Sequence, residues 1–285
     1  MRKAEGGRLG SNTESKSLSR FYSSLSWPED PYSEQGRKRY EAAMKHMEAL
    51  LSSKRLQKLV ERKEVKVLEV CGGTGIRGIA LSKVLTNRGI AVDLLITDLR
   101  GKALEAARKF SYEETGREAG TVLIDAREIH RIGEKFNRVL MYGLSTPHFN
   151  PWDLARFLSS AGEALSDDGF LAVEEVDRRY TIFLSVGYKW ALYEALEENK
   201  PVVSFHAGYD FRNGMVKRVF WNFKEEPFPI ELYYWGFAEL AGLTWLFFKD
   251  VDLVSLERAR GFVVGIAPRR LLKPETLGEP SFTSK

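Results

Sequence analysis

The stretch KVLEVCGGTGIRGIAL, Lys66 to Leu81, changes character at Cys71. Before it, VKVLEV (65–70) is a short, mostly apolar run rich in valine, which is how a buried strand reads. After it come Gly72, Gly73 and Gly75, and then the helical pattern IRGIALSKVLTNRG. A strand, a glycine turn and a helix in that order let a ligand approach the backbone closely. Gly73-Thr74-Gly75-Ile76-Arg77-Gly78 satisfies G-x-G-x-x-G, and Asp98 follows at the spacing of a ribose-binding acid. The motif alone fits a pyrophosphate or a cofactor with no phosphate.

Strands and helices alternate onward from this turn. AVDLLITD (91–98), GTVLIDA (120–126), FNRVLMYG (136–143) and FLAVEEVD (170–177) read as strands, separated by helical segments. That alternation predicts a parallel sheet covered on both faces. WLFFKDVDLV and GFVVGIAPR then read as two strands joined by a short link, hence antiparallel. Between these parts, residues 178–229 break the rhythm. They hold an expected helix, IFLSVGYKWALYEALEE, and a hairpin turning at Asn213-Gly214. PIELYYWGFAELAGL reads as a helix closed by Gly242. Upstream, Asp30-Pro31 reads as a helix start, with the helix running to about Leu51 and a second one from Ser53 to Arg62.

Three features separate the two readings of the turn. Glu69, just before the glycines, suits an ammonium group better than a pyrophosphate. Asp125 ends the third strand and could accept from an adenine amino group, or cap the next helix. A dinucleotide domain more often closes with a sixth parallel strand than with an antiparallel pair. At this point LEVCGGTG resembles the first motif of class I S-adenosylmethionine-dependent methyltransferases, with Asp98, Asp125-Ala126 and the closing strand pair matching later landmarks. Cys71 stands where the first motif glycine usually stands. The resemblance covers residues 65–177 and 230–268. It implies a Rossmann-like α/β fold, a seven-stranded sheet of five parallel strands plus a C-terminal antiparallel pair. It also implies S-adenosylmethionine as cofactor, held by Glu69, Gly73, Gly75, Asp98, Leu99, Asp125, Ala126 and Tyr142. No metal is expected.

At the substrate end, Leu144-Ser145-Thr146-Pro147 lacks the Asn/Asp-Pro-Pro-aromatic run of many nucleic-acid amine methylators. Cytosine C5 chemistry needs a cysteine nucleophile, and the only cysteine is in the turn. His148 is the candidate general base, or a loop histidine bonded to backbone. Asp177, Tyr209 and Arg218 are the candidate substrate contacts. A two-residue hairpin turn would put Tyr209 opposite Arg218 and Asp210 opposite Lys217.

Composition bounds the rest. One cysteine in 285 residues excludes a disulfide framework and a multi-cysteine zinc site, and fits a reducing, cytoplasmic setting. No apolar leader occupies the first twenty residues. LYYWGFAELAGLTWLFF (232–248) is short for a membrane span and is interrupted by Glu239, so no membrane partner is expected. Only Gln35 and Gln57 represent glutamine among many Glu, Lys and Arg, a heat-adapted, thermophilic composition. Residues 1–65 carry 14 Lys/Arg against 9 Asp/Glu, which could serve RNA or form a solvated helix face. The expected organisation is a flexible tail (1–20), N-terminal helices (21–64), a methyltransferase core (65–177 and 230–268), an inserted α+β substrate cap (178–229) and a C-terminal tail (269–285). The leading reading is methyl transfer to a small molecule. The alternatives are an RNA methyltransferase, an NAD-dependent oxidoreductase and a non-catalytic binding module.

Overall fold

The computed structural model describes residues 10–24, 29–60, 62–194 and 201–284. Its core strands are β1 (Glu64–Val70), β2 (Ala91–Asp98), β3 (Gly120–Leu123), β4 (Phe136–Met141) and β5 (Leu165–Val176). The smaller sheet holds β6 (Ala191–Tyr193), β7 (Val203–Asp210), β8 (Met215–Trp221) and β9 (Phe228–Leu232), and β10 (Phe248–Glu257) and β11 (Arg260–Pro268) close the chain's larger one. The helices are α1 (Gly10–Ser24), α2 (Glu34–Leu51), α3 (Lys54–Val60), α4 (Ile76–Asn87), α5 (Gly101–Thr115), α6 (Pro151–Ala164) and α7 (Phe237–Phe247).

The large sheet runs β10-β11-β5-β4-β1-β2-β3. β1 to β5 are parallel, and β11 is antiparallel to both β5 and β10. The chain winds outward from β1 to β3, then returns to place β4 on the other flank of β1. That reversal opens a crevice at the carboxyl ends of β1 and β4, where α/β folds bind ligands. The sheet is seven-stranded with a C-terminal antiparallel pair, as its sequence pattern predicts. α2, α4 and α5 cover one face through Met47, Leu50, Ile79, Leu85 and Phe110, all essentially inaccessible. α6 and α7 cover the other through Leu154, Phe157, Leu158 and Leu240.

Several expectations need correction. Part of the expected N-terminal tail is α1; residues 1–9 lie outside the described residues. Asp30 makes a turn, accepting from the Tyr32 amide, and Ser33 caps α2 instead, accepting from Gly36 N. The helix expected over 182–198 is a single π-helical turn, Arg179–Ser185, followed by a break at Gly187 (φ +78°) and then β6. Its last residues, 195–198, lie outside the described set. Phe228 to Leu232 form a strand rather than helix because burial alternates there, Phe228 and Ile230 in, Pro229 and Glu231 out. That strand belongs to the smaller sheet, so the inserted unit extends past 229. Gly242 keeps a helical conformation and α7 runs on to Phe247. The apolar segment 232–248 is thus divided between β9, α7 and β10, and no helix among the described residues is long and apolar enough to cross a membrane.

The hairpin register also differs. Asp210 pairs with Met215, Tyr209 with Val216 and His206 with Arg218. Asp210 Oδ1 accepts from Arg212 N (2.9 Å) and Asn213 Oδ1 from Met215 N (3.0 Å), so side chains build a four-residue loop where two residues were expected. An irregularity between His206 and Gly208 shifts the pairing again. Tyr209 is consequently not opposite Arg218.

Phe262 is the packing test of this architecture. It lies on β11, fully buried, and stacks on Tyr142 at 5.7 Å between ring centroids. Phe262→Ala is expected to lower unfolding free energy by about 3–5 kcal/mol, measured by denaturant titration with the m-value unchanged.

Candidate functional site

The glycine turn begins with a strained residue. Cys71 has φ +54°, a left-handed conformation that costs a non-glycine residue roughly 1 kcal/mol. Gly73 and Gly75 follow at φ +55° and +75°. Gly72 N donates to Thr97 O (2.9 Å) and Gly73 N to Asp98 Oδ2 (2.7 Å), which fixes the turn to the end of β2. Beneath it lies Glu69, with no exposed surface. A Cβ at Gly78 would collide with its carboxylate, and one at Gly72 would come within 2.9 Å of its carboxyl carbon. By ordinary geometry neither Glu69 oxygen has a hydrogen-bond partner among the described residues. Burial pushes its pKa up to about 8, with the Gly78 amide offsetting only part.

A cavity of about 430 Å³ opens above the turn, at the carboxyl ends of the strands. Of the residues singled out from sequence, Asp98, Leu99, Asp125, Ala126 and His148 line it, together with Cys71. Asp98 accepts from the Arg100 amide (2.9 Å) and from Arg100 Nε (3.1 Å) through Oδ1. Arg100 also donates to Glu29 Oε2 (2.5 Å) and lies under the Tyr22 ring at 4.6 Å. A Cβ on Gly73 would stand 2.8 Å from Arg100 Nη2, so that guanidinium crosses directly in front of the turn. Asp125 is a cap as well as a wall: its Oδ1 accepts from Arg127 N (2.8 Å) and Arg127 Nε (2.9 Å), and Arg127 continues to Asp153 (2.9 Å).

The opposite walls come from α1 and the smaller sheet. Leu18 and Tyr22 descend from α1, and Met215, Lys217, Ile230 and Glu231 from β8 and β9. Tyr233 N donates to Pro147 O (2.8 Å), which ties the end of β9 to the loop after β4. Sequence reasoning missed these residues. Arg100 stood two positions from Asp98 and could have been found; the fold-back of α1 had no local signal.

The other expected site residues sit elsewhere. Glu69 forms the floor beneath the turn rather than a wall. Tyr142 points to the α2 side, where its hydroxyl meets His46 Nδ1 at 2.6 Å. Asp177 is structural: Oδ1 accepts from Tyr180 N (2.8 Å) and Oδ2 from Phe237 N (3.2 Å). Tyr209 is 61% exposed, beyond the cavity. Arg218 is fully buried inside the smaller sheet, donating to Ser204 Oγ (2.8 Å), Ser204 O (3.0 Å) and Lys189 O (3.1 Å). Glu174 and Glu175 are buried in ion pairs with Arg260 and Arg178. Among the described residues no cluster of His, Cys, Asp and Glu could hold a metal ion. Part of the N-terminal positive charge is paired within the chain: Arg37 with Glu114, Lys38 with Glu34, Arg55 with Asp250 and Arg62 with Asp168.

His148 lies in the cavity wall with Nε2 3.3 Å from the Tyr22 hydroxyl and its ring against Phe21. Burial, reinforced by the Arg178 and Arg100 charges, lowers its pKa to about 4. The imidazole is therefore neutral near pH 7 and a weak base. Because the folded value lies below the unfolded one, the unfolded chain binds the extra proton between pH 6.5 and 4, and stability falls as pH falls through that window. Wild type is expected to lose about 2 kcal/mol from this group between pH 7 and 5. His148→Gln should lose correspondingly less, as read by urea unfolding at the two pH values.

No protein-family model matches the chain, and no curated protein matches it by sequence. Solved structures do. The PH0226 protein of Pyrococcus horikoshii is 19% identical, over 87% of this chain and 98% of its own, with a TM-score of 0.60. An S-adenosylmethionine-dependent methyltransferase from Clostridium acetobutylicum is 12% identical, over 88% and 98%, at 0.57. The sugar N-methyltransferase KedS8 from Streptoalloteichus is 14% identical, over 94% and 96%, at 0.54. At these identities the likeness is one of fold: the chain has the class I methyltransferase architecture.

Proposed function

We propose that the chain is an S-adenosylmethionine-dependent methyltransferase acting on a small-molecule acceptor. The observation that carries this is the cavity itself: Cys71 at the start of the glycine turn, Asp98, Leu99, Asp125 and Ala126 form one end, with Gly73 and Gly75 behind Arg100 rather than in the wall, and residues of the smaller sheet form the other. The residues fit the cofactor. Gly73, with no Cβ, leaves room for the Arg100 guanidinium beside the turn, and the two strand-end carboxylates in the wall, Asp98 and Asp125, suit hydroxyl and amino donors better than a phosphate. Bound there, the cofactor supplies an electrophilic methyl group on a sulfonium.

The protein's own contribution is alignment and exclusion of water. Asp98 can hold a ribose diol once Arg100 gives up its place, since both oxygens already accept from N–H donors. Leu18, Tyr22, Met215 and Ile230 provide the cover over the reacting end. The volume lies within the roughly 300–1,000 Å³ of small-ligand sites. That enclosure, the internal pairing of the N-terminal cations and the sugar-acting KedS8 among the structural relatives all favour a small acceptor over RNA. A neutral His148 beside the Tyr22 hydroxyl suits orientation of an acceptor hydroxyl or uncharged amine.

Calorimetric titration tests the reading. S-adenosylhomocysteine should bind in the micromolar range and NAD should not. Asp98→Ala should weaken the first by ~1–3 kcal/mol with an unchanged circular dichroism spectrum. Tighter binding of NAD, or no binding of S-adenosylhomocysteine, would overturn the assignment.

A further inference from the structure

Arg100 lines the same cavity as Asp98, and its guanidinium passes in front of the glycine turn. A Cβ on Gly73 would stand 2.8 Å from Nη2, so only a bare backbone lets the group lie there. Its side chain is 12% exposed. Three neighbours hold it. Nε donates to Asp98 Oδ1 (3.1 Å), Nη1 donates to Glu29 Oε2 (2.5 Å), and the centre of the Tyr22 ring lies 4.6 Å from the guanidinium carbon. They come from three places in the fold: the end of β2, the loop before α2, and α1. Glu29 is in turn tied to the glycine turn, since its carbonyl accepts from the Thr74 hydroxyl (2.5 Å).

Counting lone pairs shows what this does to Asp98. A carboxylate offers about four acceptor places. Gly73 N takes one on Oδ2 (2.7 Å), and the Arg100 amide (2.9 Å) and Arg100 Nε take both on Oδ1. One place is left, whereas a ribose diol presents two hydroxyls. The two amides belong to the backbone of the turn and of the β2 end, and they stay. Nε is the one donor that can leave by side-chain rotation, and its departure supplies the second place. Glu29, 39% exposed, can keep Nη1 as the rest of the fork swings outward.

We infer that Arg100 is a built-in competitor for the ribose of the cofactor: in the ligand-free protein the guanidinium stands in the ribose's place, and binding requires its displacement. This deepens the methyltransferase reading and rests on it, because the ligand competed for is the one that reading assigns. Each contact that holds Arg100 then counts against affinity. The apparent dissociation constant is the intrinsic one divided by the fraction of molecules in which Arg100 has already moved aside. Charge-assisted bonds from a largely buried guanidinium to two carboxylates are stronger than neutral ones, which keeps that fraction small. A tie that merely shaped the turn would act in the opposite sense: its loss would loosen the site and weaken binding.

Calorimetry on the full chain with S-adenosylhomocysteine and 5′-methylthioadenosine, which share the ribose, tests this. Arg100→Ala is expected to tighten both about tenfold or more, the scale of one hydrogen bond to a charged group. The two factors should be similar, since the competed part is common to both probes. Arg100→Lys keeps a charge but has no fork to span Asp98 and Glu29, and should tighten both by less. The ligand-free melting temperature of Arg100→Ala should fall, because three contacts are lost, while the upward shift produced by saturating S-adenosylhomocysteine should grow. Binding by Arg100→Ala where wild type binds too weakly to measure would be the expected result in its strongest form. Unchanged or weaker binding by folded Arg100→Ala, or a gain confined to one probe, would overturn the inference and leave the methyltransferase reading in place. If Arg100→Ala does not fold, Arg100→Lys decides, and an affinity equal to or below that of wild type overturns the inference. If neither wild type nor the variants bind either probe, the methyltransferase reading falls, and this inference with it.

Discussion

Glu69 occupies the centre of the large sheet, paired in register with Ile96 on one side and Leu140 on the other, and the turn above it is shaped by its presence. Gly72 and Gly78 carry no side chain because the carboxylate fills the space a Cβ would need. With those two positions bare, α4 settles directly onto the end of β1, and the residues between them are lifted into the crevice. Above that seating Gly73 meets Asp98, and Arg100 reaches across the turn. An acid kept protonated by burial is a costly floor. Its folded pKa lies above the unfolded value, so its cost grows as pH rises from 4.5 toward 8, the opposite slope to that of His148.

The cavity is closed from two independent directions. α1 comes from the amino terminus and β8 and β9 from the insertion, and they meet where Phe21 packs on Phe220 at 5.1 Å. Arg20 strengthens that seam, lying 4.6 Å from the Phe228 ring and 3.7 Å from Glu225.

Much of the core could be read from sequence because each strand of the large sheet is specified locally, by an apolar run bounded by turn residues. The core side of the cavity wall was legible for the same reason: Asp98, Asp125 and Ala126 stand at strand ends, and strand ends in this fold converge. The cap resisted. Its register depends on Asp210 and Asn213 accepting from backbone amides, and on an irregularity at His206, none of which a hydrophobic pattern displays. Arg218 read as a candidate substrate contact, but its partners Tyr188 and Lys189 come from a segment whose pattern reads as helix. Tyr142 was assigned by its position at the end of β4, yet pleating sends its side chain toward α2. α1 was invisible because GSNTESKSLSR is polar and only tertiary contact orders it.

Cys71 is the chain's sole sulfhydryl, and it forms part of the cavity wall. Burial raises its pKa, so the thiolate that reacts with oxidants and alkylating agents is scarce at neutral pH. The most vulnerable atom in the protein thus sits at its most important turn, but in its least reactive form. A molecule filling the cavity shields it further. Oxidative ageing of this chain should then be slow, and when it comes it should strike the cavity wall at the glycine turn first, before the fold itself is lost.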